Sequence, residues 1–115
     1  MIECCQVTTT LDSREAAERL GMALVDERLA ACAQIAGPIA SIYRWQGAVE
    51  RAEEWYCHLK TTRARFPALA ARLAALHPYD VPEVIALPIV AANPAYLAWI
   101  EECVRSAPTP SPSEP

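Results

Sequence analysis

The apolar and polar positions of this chain switch between two periods, and the switches mark its elements. Residues 2–9 (IECCQVTT) are short and rich in β-formers, which predicts a strand. Asp12, with Glu15 three residues on, has the spacing of a capping box and opens a predicted helix over about 12–30. Ala17, Leu20, Gly21 and Leu24 fall on one helical face, with Met22, Val25 and Leu29 beside it. Gly21 inside a helix costs up to ~1 kcal/mol against Ala, a cost that a close packing contact would explain. Residues 32–45 predict a second strand, bent at Gly37-Pro38 because proline in a strand belongs at an edge or bulge. Gln46-Gly47 is a tight-turn signal, so a third strand over about 48–61 follows as its hairpin partner. The first half of that strand is charged on both faces and the second half apolar on one, which predicts a solvated tip and a buried base.

Phe66 with Pro67 opens a second helix, and Pro78 stops it. Residues 83–90 (EVIALPIV) are almost continuously apolar, the pattern of a strand buried on both faces. Asn93-Pro94 begins a third helix over 94–104. The order β-α-β-β-α-β with an added helix is the α+β, ferredoxin-like arrangement. Its helices are expected on one face of an antiparallel sheet. The other face carries Tyr43, Trp45 or Tyr56 and has nothing left in the chain to cover it, which predicts a homo-oligomer. The domain is expected over 1–105, followed by a disordered Pro/Ser-rich tail over 106–115.

Composition narrows the classes. The 115 residues are 53% hydrophobic and 21% charged, enough apolar material for one core. A formal net charge of −4 disfavours nucleic acid as a partner. No apolar run approaches a membrane span, and the first residues lack the pattern of a signal peptide, so a cytoplasmic protein is expected. The five cysteines are odd in number and irregular in spacing, as for reduced thiols. Cys4 and Cys5 invite a metal reading, since soft thiolates suit copper(I) and zinc, but they are adjacent on a strand, so their sulfurs diverge and buried packing thiols are the leading reading.

Candidate chemistry is sparse. No phosphate-binding glycine loop, Gly-x-Ser-x-Gly or His-Glu-x-x-His occurs. Two histidines and no activated nucleophile point away from an enzyme. An acylphosphatase-like enzyme would need an arginine in a phosphate loop near the first strand, and Thr8-Thr9-Thr10-Leu11 has none. His77-Pro78-Tyr79-Asp80 is the most informative cluster. It reads either as a helix end with its turn, or as His77 and Tyr79 lining a cleft with Asp80 or Glu83 close by. Lys60, Arg63, Arg65 and Arg72 form a basic stretch near a helix N-terminus, the setting of an anion site or of a solvated face.

Several motifs in order resemble one family. They are Leu29-Ala30-Ala31-Cys32, Gly37-Pro38-Ile39, Ser41-Ile42-Tyr43-Arg44-Trp45-Gln46-Gly47, Leu59-Lys60-Thr61-Thr62, His77-Pro78-Tyr79-Asp80-Val81-Pro82-Glu83 and Leu87-Pro88, continued by Tyr96-Leu97-Ala98-Trp99-Ile100. They resemble the CutA family of divalent-cation tolerance proteins over about residues 3–104. The resemblance implies a ferredoxin-like homotrimer in the cytoplasm, linked to tolerance of copper and other divalent cations. It also implies a likeness in shape to PII-type signalling trimers. Copper ligands proposed in the family fall on Thr9, Leu76 and His77 here, so only His77 carries over, and Asp80 stands where the family usually has Glu.

The expectation is a non-enzymatic, trimeric metal-responsive or metal-binding protein with His77, Glu83 and Asp80 as metal groups. Its partners would be its own copies and copper or another divalent cation, with no organic cofactor, nucleic acid or membrane. The alternative is a PII-like signalling or scaffold trimer. That trimer would hold a small anionic ligand or a protein partner in intersubunit clefts through Lys60, Arg63, Tyr79 and Trp45.

Overall fold

The computed structural model describes residues 2–105, so the proline- and serine-rich stretch 106–115 lies outside the described residues. The elements run β1 (Cys4–Leu11), α1 (Arg14–Asp26), β2 (Cys32–Trp45), β3 (Ala48–Thr62), α2 (Phe66–Leu76), β4 (Ile85–Pro88) and α3 (Pro94–Val104). The strands form one antiparallel sheet in the order β2-β3-β1-β4. This is the expected ferredoxin-like order with its extra C-terminal helix.

The hairpin turn follows from its residues. Gln46 and Gly47 both have positive φ, 48° and 83°, which a two-residue turn of the type that matches strand twist requires. The turn pairs Trp45 with Ala48, and the register runs regularly to Ile39↔Glu54. There the ladder shifts between Ala36 and Ile39, at the Gly37-Pro38 bend. Trp55 lies on Gly37: a Cβ there would stand 2.6 Å from the Trp55 ring, so no larger residue fits at the bend. β1 ends opposite Trp55, and the hairpin continues beyond it as a projecting arm.

The sheet separates two apolar clusters. On one face, α1 and α2 bury Ala17, Leu20, Leu24, Leu69 and Leu73 against Cys5, Val7, Leu11, Cys57 and Leu59. On the other, α3 lays Ile100 and Val104 on Cys4 and Ala31. Cys4 and Cys5 therefore point to opposite faces, as strand alternation dictates. The helices are not all on one face, however. α3 covers one end of the face expected to stay bare, and the rest of that face is open in the single chain.

Three details differ from expectation. The cap of α1 is Ser13, whose Oγ accepts from the Ala16 N–H, and not Asp12. The helix ends at Asp26, because the chain turns back through Arg28 at φ 59°. β4 is an edge strand, with Ile85 and Leu87 48% and 55% exposed, where burial on both faces was expected.

Candidate functional site

The root of the arm, where β1 stops and β2 and β3 run on, is also where the segment after α2 crosses the sheet. His77 holds that crossing in place. Its backbone N–H closes α2 on the Leu73 carbonyl, and its ring is buried. Nε2 lies 2.9 Å from the Thr10 carbonyl oxygen, and Nδ1 accepts the Tyr79 N–H at 3.1 Å. A carbonyl only accepts, so Nε2 carries the proton and Nδ1 is the lone pair, a single neutral tautomer that satisfies both contacts. Both ring nitrogens are thus engaged with backbone. To bind a metal, the ring would have to release one of them.

Tyr79 reaches across to β3 and donates its hydroxyl to Glu54 Oε2 at 2.8 Å. Burial, that hydrogen bond and the negative charges of Glu54 and Asp12 hold the Tyr79 phenol well above the usual tyrosine range. Glu54 is itself only 9% exposed.

Between the crossing segment and the arm lies a cleft of about 710 Å³. Its carboxylates are Asp12, Glu53, Glu54, Asp80 and Glu83. Its aromatic wall is Tyr43, Trp45, Tyr56 and Tyr79. Among the described residues no lysine, arginine or histidine lines it. The arm register explains the wall: Ile39, Ser41, Tyr43 and Trp45 alternate onto one face, paired there with Glu54, Ala52, Glu50 and Ala48.

A family model described as "CutA1 divalent ion tolerance protein" matches residues 5–103. The chain belongs to the CutA1 family. "Divalent-cation tolerance protein CutA" of Thermus thermophilus is 50% identical to it over 96 residues, 84% of this chain and 93% of that protein. The solved structure of a Thermus thermophilus CutA1 superposes with a TM-score of 0.86 at 47% identity, over 89% of this chain and 99% of that one. "Protein CutA 1, chloroplastic" of Oryza sativa subsp. japonica is 41% identical, over 88% of this chain and 57% of its own length. The chain thus spans little more than half of that plant CutA relative.

Within this CutA1 chain the candidates separate into two groups. Asp80, Glu83, Tyr79 and Trp45 meet in the cleft, and His77 stands behind it as the anchor of the segment that carries them. Lys60 and Arg63 do not join them. Lys60 donates to Gln34 Oε1 at 2.6 Å on the open sheet face, and Arg63 pairs with Glu3 at 3.6 Å. The other basic side chains of that stretch are also engaged, Arg65 with the Arg28 carbonyl and Arg72 with Glu27. Of the cleft's carboxylates and aromatics, Asp12, Glu53, Glu54, Tyr43 and Tyr56 are not among the candidate site residues read from the sequence, although Tyr43 and Tyr56 are expected on the uncovered face. Counting back from the Gln46-Gly47 turn places Glu50 and Ala52 beside Tyr43 and Ser41. The ladder shift next to Glu54, and the crossing segment, have no local signal.

The donors of the cleft are oxygens, which suit hard divalent cations better than copper(I). Among the described residues no three His, Cys, Asp or Glu side chains are grouped closely enough to hold a metal ion. The cleft offers a negative field and single carboxylates rather than an assembled cage.

Proposed function

We propose that this CutA1 chain serves divalent-cation tolerance without catalysing a reaction, by binding divalent cations weakly at the arm-root cleft of a homotrimer. The observation that carries the reading is the cleft's charge: five carboxylates with no basic side chain among its lining residues. Asp80 and Glu83 supply oxygen donors from the crossing segment, and His77 fixes that segment. An oxygen donor set suits hard cations, and among first-row divalent ions copper(II) would bind such a set more tightly than zinc or manganese.

Trimerisation is supported by the exposed apolar side chains of the open face and the arm, Ile85, Leu87, Ile42 and Val49. No helix among the described residues is long and apolar enough to cross a membrane, and the five cysteines are free thiols, which supports a reducing compartment such as the cytoplasm. The cleft's charge gives no support to an anionic ligand there.

Titration of the reduced protein with copper(II), zinc and manganese by calorimetry tests the proposal. Replacing Asp80 and Glu83 together by Asn and Gln is expected to weaken binding by about tenfold or more. Unchanged affinity in that variant overturns the cleft as the metal site. Sedimentation equilibrium tests the assembly, and a mass equal to one chain at micromolar concentration overturns the trimer.

A further inference from the structure

The open sheet face carries a histidine, the side chain type whose charge changes near neutral pH. His58 stands half-buried on β3, and the register sets it in a row across the sheet, Gln34–His58–Thr8–Ile85. The next row is Cys32–Lys60–Gln6–Leu87. Ile85 and Leu87, both exposed, are the apolar ends of these rows. Neighbouring strands are about 4.8 Å apart, so His58 and Lys60 stand about 10 Å from them, two strands away. A second copy that covers Ile85 and Leu87 therefore also reaches His58 and Lys60.

His58 Nδ1 lies 3.0 Å from the Thr8 hydroxyl, and its ring stacks on Tyr56 with centroids 5.0 Å apart. In a single chain these neighbours suit either charge state. The hydroxyl donates to a neutral ring and accepts from a protonated one, and the Tyr56 ring face attracts a cation.

The other groups on this face offer an imidazolium no free counter-charge. β1 presents Gln6, Thr8 and Thr10, and β4 presents Ile85 and Leu87. β2 presents Gln34 and Cys32, whose thiol meets the Tyr96 hydroxyl of α3 at 3.8 Å. β3 presents the Lys60 ammonium, which donates to Gln34 Oε1 and has no carboxylate partner among the described residues. The acid of the same strand face, Glu54, lies further along at the arm root and accepts from Tyr79.

We propose that His58 makes the assembly of this chain pH-dependent: copies hold together while the imidazoles are neutral and loosen when they take up protons. Covering the face strips water from His58 and Lys60. A neutral ring tolerates that, whereas a second cation beside the ammonium does not. The separated chain thus takes up the proton more readily than the assembled one, and by linkage acid favours separation. Symmetry repeats the group in every copy, which steepens the response. The inference rests on the trimer proposed above and adds its regulation.

Subunit exchange of the full chain tests it. Assemblies of natural isotope content and assemblies labelled with nitrogen-15 are mixed at about pH 8 and at about pH 5.5, and native mass spectrometry follows the mixed species. Exchange is expected to be at least about tenfold faster at the lower pH. His58→Gln, which keeps a polar side chain that does not titrate, should exchange at the same rate at both. Lys60→Gln, which removes the neighbouring cation and leaves His58 in place, should reduce the acid effect by about threefold or more. A wild-type rate that is equal or slower at the lower pH overturns the inference, as does a pH dependence that survives in His58→Gln or is undiminished in Lys60→Gln. A trimer with pH-independent exchange overturns this inference alone. A mass equal to one chain at the higher pH overturns the trimer reading and this one with it.

Discussion

Thr9 is fully buried on the core face of β1, opposite Cys57, and its hydroxyl has no hydrogen-bond partner among the described residues. A buried hydroxyl without a partner loses its hydration for nothing. Thr9→Val keeps the shape and removes the penalty, so thermal and chemical denaturation should show a gain of about 1 kcal/mol. Its neighbour Cys57 shows the opposite relation to water. Burial pushes that thiol from its ordinary 9.0 up to about 11, so the folded protein holds the proton after the unfolded chain has released it. The associated stability is complete below pH 9 and falls as pH rises through 11, by about 1.4 kcal/mol per pH unit inside that window. Denaturant melts at pH 8 to 11 should show this loss, and Cys57→Ala should flatten it. The candidate residues divide by how local their signal is. Tyr79, Asp80 and Glu83 follow a helix-stopping proline, and Trp45 precedes a turn, so their positions at element ends are legible in sequence. Glu54 is one acid in a run of charged residues. Only the tertiary crossing of Tyr79 singles it out.

Gly21 is a helical residue whose cost is explained by what it touches. A Cβ there would stand 2.7 Å from the Ala33 Cβ and 3.7 Å from the Cys57 sulfur, so α1 lies directly on β2 and β3 at this point. Helix propensity favours Gly21→Ala by about 1 kcal/mol, but a methyl against another methyl on a paired strand has nowhere to retreat. The contact outweighs the propensity, and the variant should unfold at lower denaturant, with a net loss of about 1–2 kcal/mol. The elements with strong punctuation are legible to the residue: Gln46-Gly47 sets the hairpin, Phe66-Pro67 sets α2, and Asn93-Pro94 sets α3. The elements that rely on apolar runs are not. β4 is apolar without being enclosed by this chain, because its pattern records the environment it is suited to and not the neighbours that supply it. α3 is amphipathic in the expected place, but nothing local says which sheet face it chooses.

The arm gives the molecule its long dimension. The radius of gyration is 16.0 Å, against about 13 Å for a compact domain of this length, and the principal extents are 58 × 36 × 22 Å. A projecting hairpin with no third strand beside it is a poor independent unit, so its order in solution and the assembly proposed above stand together. The division of the interior by the sheet has a further consequence, in the order of opening events. α3 rests on a small cluster of its own, while β1, β3, α1 and α2 share the larger one. Detaching α3 exposes Cys4 but leaves Cys57 sealed. Such a helix can open as a separate unit below the free energy of global unfolding. Amides of α3 should exchange with deuterium before those of α1. A thiol reagent should modify Cys4 at the rate of that partial opening and Cys57 only at the rate of complete unfolding, so two thiols on opposite faces of one sheet keep time for two different motions.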